Sequence, residues 1–147
     1  MLALDANIWI AAFDSADPFH DDSVALLRAA AERGLPLAGP SYVVLESVCA
    51  LARRIGDSAL ARAAGERMSA HPALHLEPLT EALLAAAEQL GVDRRLRGAD
   101  ALYAATAARL GCPLLSWDSE LITRGGALSP RDWLAANAGS AQVPAQE

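Results

Sequence analysis

Four acidic residues stand where a carboxylate is unfavourable unless something pairs it. Asp5 interrupts the apolar opening Leu2-Ala3-Leu4, with Ile8 and Ile10 just beyond. Glu46 is the only charged residue between Gly39 and Arg53, inside Tyr42-Val43-Val44-Leu45-Glu46-Ser47-Val48-Cys49, where it borders the stripe Tyr42, Leu45, Cys49. Asp100 falls in the first turn of an alanine-rich stretch, and Asp118 follows the apolar Pro113-Leu114-Leu115-Ser116-Trp117. Each has an ordinary explanation alone. Asp5 and Asp118 suit turns, Glu46 could pair with Arg53 or Arg54 about two turns on, and aspartate favours helix starts. Glu120 lies so close to Asp118 that spacing does not separate their roles.

Taken jointly, acids at strand ends and helix starts suggest a shared site. Carboxylates a few ångströms apart cannot all ionise without a counter-charge. A hard divalent cation with oxygen ligands supplies it. No Cys/His set has zinc spacing, since His20, His71 and His75 are scattered and suit surface or loop positions.

The elements that would position these acids alternate. Leu2 to Ile10 opens as an apolar run interrupted by Asp5 and Asn7, with Asp5 at the end of the first strand; Asp17-Pro18 resembles a helix start that Gly34 closes. Leu35 to Ala38 suggests a short strand, and Ser41 to Ile55 a helix ended by Gly56. Asp57 caps a helix to about Ala70, and Leu74 to Leu76 forms a third strand. Thr80 to Leu90 is helical and stopped by Gly91; Ala99 to Leu110 is helical and stopped by Gly111. Pro113 to Ser116 forms a fourth strand and Ala127-Leu128 a candidate fifth. Ser129-Pro130-Arg131-Asp132 has the form of a capping box. Such alternation implies an α/β fold with a parallel sheet covered on both faces. Its crevice should lie beyond the carboxyl ends of the strands.

Composition narrows the chemistry. At 147 residues the chain suits one domain, expected over 1–138, with a flexible C-terminal tail at 139–147. The net charge of −6 argues against a nucleic-acid partner, but a loaded carboxylate cluster is neutralised by its cations. All 12 basic residues are arginine, which excludes a P-loop lysine, a Schiff base and a lysine general base. Arginine also presents the better fork for phosphate. No apolar stretch suits a membrane span and no basic leader precedes an apolar run, so a cytoplasmic protein is expected. Cys49 and Cys112, both in apolar segments, are expected as buried, reduced thiols.

The ordered motifs resemble the PIN-domain family, in particular VapC-like toxin ribonucleases, over roughly residues 1–137. Leu4-Asp5-Ala6-Asn7 is similar to the first motif, and Val44-Leu45-Glu46 to the second. Arg97-Gly98-Ala99-Asp100 with Tyr103-Ala104-Ala105-Thr106-Ala107 is similar to the third, and Leu115-Ser116-Trp117-Asp118 to the last. Leu128-Ser129-Pro130 with Trp133-Leu134 resembles the family's usual ending. Ala6 and Ser116 depart from a frequent hydroxyl residue and a frequent threonine; neither removes an acid. The resemblance implies a three-layer α/β/α sandwich with four to five parallel strands. It also implies Mg²⁺- or Mn²⁺-dependent hydrolysis of RNA by activated water, as the toxin of a type II toxin–antitoxin pair.

On that reading Asp5 and Asp100 hold the principal cation, and Asp118 and Glu46 complete the site. Asn7 and Ser116 would fix the carboxylates by hydrogen bonds, while Arg94, Arg95 and Arg97 could hold substrate phosphates. A homodimer and a cognate antitoxin are implied by the same analogy. Two rivals stand beside it. An aspartyl phosphotransferase would want a lysine near its phosphate, and none exists. A non-catalytic or housekeeping PIN-fold module binding RNA or protein would keep the fold without turnover.

Overall fold

The computed structural model describes residues 1–138, so the tail expected at 139–147 lies outside the described residues. Four strands form one parallel sheet: β1 (Leu2–Leu4), β2 (Leu37–Pro40), β3 (Leu74–Glu77) and β4 (Leu114–Leu115), in spatial order β3-β2-β1-β4. Ala3 pairs with Ala38 on one side and Leu114 on the other. The expected fifth strand is reduced to a single bridge between Leu115 and Leu128.

Eight helices complete the described residues: α1 (Ala6–Phe13), α2 (His20–Glu32), α3 (Tyr42–Ile55), α4 (Ser58–Ser69), α5 (Glu81–Arg94), α6 (Gly98–Leu110), α7 (Ser119–Thr123) and α8 (Pro130–Asn137). Steps from β1 to β2 to β3 run one way across the sheet, and the step from β3 to β4 runs back past β1. Right-handed crossovers therefore place α1 to α4 on one face and α5 and α6 on the other. The result is an α/β/α sandwich. The direction reverses between β1 and β4, and a crevice opens beyond their carboxyl ends.

Local chemistry explains most element ends. The Asp57 carboxylate accepts from the N–H groups of Ala59 and Leu60, starting α4, and the Ser129 hydroxyl accepts from Asp132 N–H, starting α8. Gly56 ends α3 and Gly111 ends α6 in left-handed conformations. The first strand ends at Leu4, directly before Asp5 as expected, and the rest of the opening run forms α1. Two expectations need correction. The helix expected from Asp17-Pro18 starts at His20, after a turn in which Asp17 accepts from Phe19 N–H. Gly91 does not stop α5, which continues to Arg94 and ends at Arg95 with φ +55°. A Cβ at Gly91 would lie 3.3 Å from the Ala101 Cβ, so this glycine permits close packing of α5 on α6.

The buried face of α3 is Val43, Ser47 and Leu51, not the stripe through Leu45 and Cys49. Cys49 is consequently exposed rather than buried, Cys112 is partly buried, and both are free thiols. The main core gathers Leu2, Leu4, Ile8, Trp9, Leu26, Val43, Leu115 and Leu121 around the sheet. No helix among the described residues is long and apolar enough to cross a membrane.

Candidate metal centre

The crevice beyond β1 and β4 is where the acids meet. Asp5 follows β1 directly, and its N–H donates to the Leu115 carbonyl at 3.0 Å, tying it to β4. Its side chain caps nothing, although it occupies the N-cap position of α1. Instead Oδ2 accepts from Asn7 Nδ2 at 2.7 Å and from Ser116 Oγ at 2.5 Å. The Ser116 hydroxyl in turn accepts from Asn7 Nδ2 at 3.0 Å and from Asp118 N–H at 2.9 Å. Asn7 Oδ1 accepts from Trp117 N–H at 3.1 Å. One hydroxyl and one amide therefore lock the ends of two neighbouring strands together around a buried carboxylate.

Asp118 divides its oxygens. Oδ1 caps α7, accepting from Glu120 and Leu121 N–H at 2.8 and 3.0 Å. Oδ2 accepts from an Arg97 terminal nitrogen at 2.5 Å, while Arg97 Nε donates to Asp100 Oδ2 at 2.8 Å. Trp117 steadies this turn by stacking on Phe19, centroids 4.3 Å apart, and donating Nε1–H to Ser23 Oγ. Glu46, from α3, accepts from the Tyr103 hydroxyl at 2.6 Å. Tyr103 and Asp100, three residues apart on α6, face the same side. Asp5, Asn7, Glu46, Arg97, Asp100 and Asp118 line one pocket of about 250 Å³.

Burial pushes the Asp5 carboxyl up to about 7; the Ser116 hydrogen bond opposes this, and the charges of Glu46 and Asp100 add to it. Burial also pulls Asp118 upward, but hydrogen bonds from Leu121 N–H and Arg97 outweigh it and hold the acid below its ordinary value. Burial, then Glu46, keeps the Tyr103 hydroxyl protonated far above its ordinary range.

The family model of the PIN domain matches residues 2–126. The chain belongs to the PIN domain family. Solved structures support the fold assignment. VapC20 of Mycobacterium tuberculosis, described as a sarcin-ricin loop cleaving toxin, superposes with a TM-score of 0.73 at 20% identity, covering 84% of this chain and 94% of that one. FitAcB of Neisseria gonorrhoeae gives 0.67 at 18%, covering 89% and 99%. VapBC2 of Rickettsia felis, bound to a promoter DNA fragment, gives 0.65 at 14%, covering 87% and 96%. No curated protein sequence matches the chain.

Within this PIN domain, the four expected acids share the pocket and Asn7 and Ser116 hold Asp5 by hydrogen bonds. Of the three arginines, Arg97 alone lines the pocket. Arg94 is tied to the Gly125 carbonyl at 3.0 Å, and Arg95 offers its own carbonyl to Arg124. Glu120 is not among the lining residues and pairs with Arg124 at 2.6 Å. Glu46 does not pair with Arg53 or Arg54; Arg54 reaches Asp17 instead. Sequence alone does not single out Tyr103 as the partner of Glu46, although its i,i+3 spacing from Asp100 is visible there.

Among the described residues, no three His, Cys, Asp or Glu side chains converge closely enough to hold one ion as they stand. Asp100 and Asp118 share the single positive charge of Arg97 instead. By chemistry the donor set suits a hard cation: it is all oxygen, and burial, with the nearby charges of Glu46 and Asp100, disfavours an ionised Asp5 that a cation would favour.

Proposed function

We propose that this PIN domain is a Mg²⁺- or Mn²⁺-dependent endoribonuclease, the toxin of a type II toxin–antitoxin pair, acting in the cytoplasm on RNA. The observation that carries the reading is the convergence of Asp5, Glu46, Asp100 and Asp118 on one pocket at the switch point of the sheet. Divalent cations bound there would supply an activated water and stabilise charge on the phosphodiester oxygens. Asp5 and Asp100 are the assigned principal ligands, with Asp118 and Glu46 completing the set. The chain's own contribution is order. Asn7 and Ser116 fix the Asp5 oxygen, the α7 cap fixes Asp118, and Tyr103 holds Glu46 against α6.

The expected partners are an RNA substrate, a second copy of the chain in a homodimer, and a cognate antitoxin covering the groove. Family membership supports these assignments, as do the similar structures described as a cleaving toxin and as VapBC2. Residues 1–138 are assigned as the single PIN domain.

The test compares wild type with Asp5→Asn and Asp100→Asn on pooled cellular RNA, with and without Mn²⁺. Metal-dependent fragments from wild type alone support the reading. Equal cutting by a well-folded Asp100→Asn overturns its assigned role, and an inert wild type leaves the non-catalytic or housekeeping binding module as the better account.

A further inference from the structure

We propose that Arg97 is the resident counter-ion of the carboxylate pocket, displaced when a divalent cation enters and then free to bind a substrate phosphate. This rests on the metal reading above and goes beyond it by giving one side chain two successive partners.

The geometry supplies the first partner. Arg97 spans Asp100 Oδ2 at 2.8 Å and Asp118 Oδ2 at 2.5 Å, so its charge occupies oxygens that a cation would need. The three residues differ in freedom. The Asp100 side chain is 11% exposed and the Asp118 side chain 26%, whereas that of Arg97 is 61% exposed. Asp118 is further held by its cap on α7. The carboxylates are thus the fixed part of the arrangement and the guanidinium the part that can leave towards solvent.

Arginine stays protonated at any working pH, so it cannot yield its place by losing charge. A cation competing for the same oxygens must move it bodily. Glu120 gives the departing group a place to stop: its Oε2 already lies 3.7 Å from Arg97 Nε, and it is not among the residues lining the pocket. A guanidinium held at that rim stands beside the pocket with donors in a planar fork, the geometry that suits a phosphate oxygen pair. Arg94 and Arg124 are not equivalent candidates, because neither reaches the pocket acids and each already donates to a backbone carbonyl, of Gly125 and of Arg95.

Competition predicts effects of opposite sign on metal and nucleic acid, which loss of structure does not produce. Mn²⁺ binding is measured by titration calorimetry on wild type, Arg97→Ala and Arg97→Gln, each checked for folding by circular dichroism. Both variants should bind Mn²⁺ more tightly, by about tenfold, equivalent to about 1.4 kcal/mol. In parallel, anisotropy of a short 2′-O-methyl RNA, used as a cleavage-resistant probe, is followed with Mn²⁺ and with chelator. Removing Arg97 should weaken RNA binding several-fold with Mn²⁺ present and change it little in chelator, where the wild-type guanidinium is already engaged.

Unchanged or weaker Mn²⁺ affinity in both folded variants overturns the proposal while leaving the metal reading intact, provided wild type binds Mn²⁺. Absence of Mn²⁺ binding in all three proteins overturns both. A loss of RNA affinity equal with and without Mn²⁺ overturns the hand-over from carboxylate to phosphate.

Discussion

Asp5→Asn converts the buried carboxyl into a neutral group of nearly the same shape, and its effect on stability should depend on pH in a defined way. The wild-type carboxyl titrates at about 7 when folded, against 3.8 for the free group, chiefly because burial disfavours the charged form. The folded state therefore binds this proton more tightly than the unfolded one. Its contribution to stability is complete below pH 3.8 and is lost as pH rises through 7. Wherever the folded state holds this proton and the unfolded state does not, each step of one in pH removes about 1.36 kcal/mol. Between pH 5 and pH 8 the wild type should therefore lose on the order of 2–3 kcal/mol relative to Asp5→Asn.

Urea melts of both proteins in chelator, at pH 5, 6, 7 and 8, measure this difference directly. Groups distant from Asp5 titrate alike in both and cancel in the comparison. The two proteins should be close in stability at pH 5, and the variant clearly the more stable at pH 8. Saturating Mn²⁺ should restore much of the wild-type deficit and help the variant less. Parallel stability curves across this pH range would refute the burial argument.

Two further outcomes follow from the same network and from the exposure of the thiols. Ser116→Ala removes one donor to Asp5 and one acceptor for Asp118 N–H, and should destabilise the fold by about 2 kcal/mol in thermal or urea melts. Because that hydrogen bond lowers the Asp5 pKa, its loss should also move the pH-dependent drop in stability upward from pH 7. Cys49, exposed on α3, should react rapidly with a thiol reagent in the native protein. Cys112, partly buried and with its thiol pushed up by burial, should react markedly more slowly, which a time course with mass detection resolves.

The helices easiest to find were those with chemical punctuation: the Asp57 and Ser129 caps and the Gly56 and Gly111 stops lie where the sequence puts them. Helix α1 was hidden for a physical reason. Ala6, Ile8, Trp9, Ile10 and Ala11 are all buried, so the helix has no polar face to betray its period. Helix α7, at five residues, is too short to show one. Gly91 misled because a glycine serving close helix packing looks the same in sequence as one serving as a stop. In the site, Asp5 and Glu46 were legible because they broke apolar runs, and Asp100 and Asp118 because they fell at a helix start and a strand end. The roles of the arginines were not, since Arg94 and Arg97 differ only in what the fold brings opposite them.

Asp5 and Asp118 occupy the same local position, the residue before a helix, and use it differently. Asp118 shields the exposed amides of α7, whereas Asp5 turns its carboxylate away and leaves α1 without a side-chain acceptor. A serine at position 5 would be the better helix starter, worth about 1 kcal/mol if it capped. It would also spare the interior a charge. Selection for heat resistance alone should therefore erode position 5 early, while position 118 should hold its aspartate. Persistence of Asp5 under such selection would point to a use for this carboxylate other than folding.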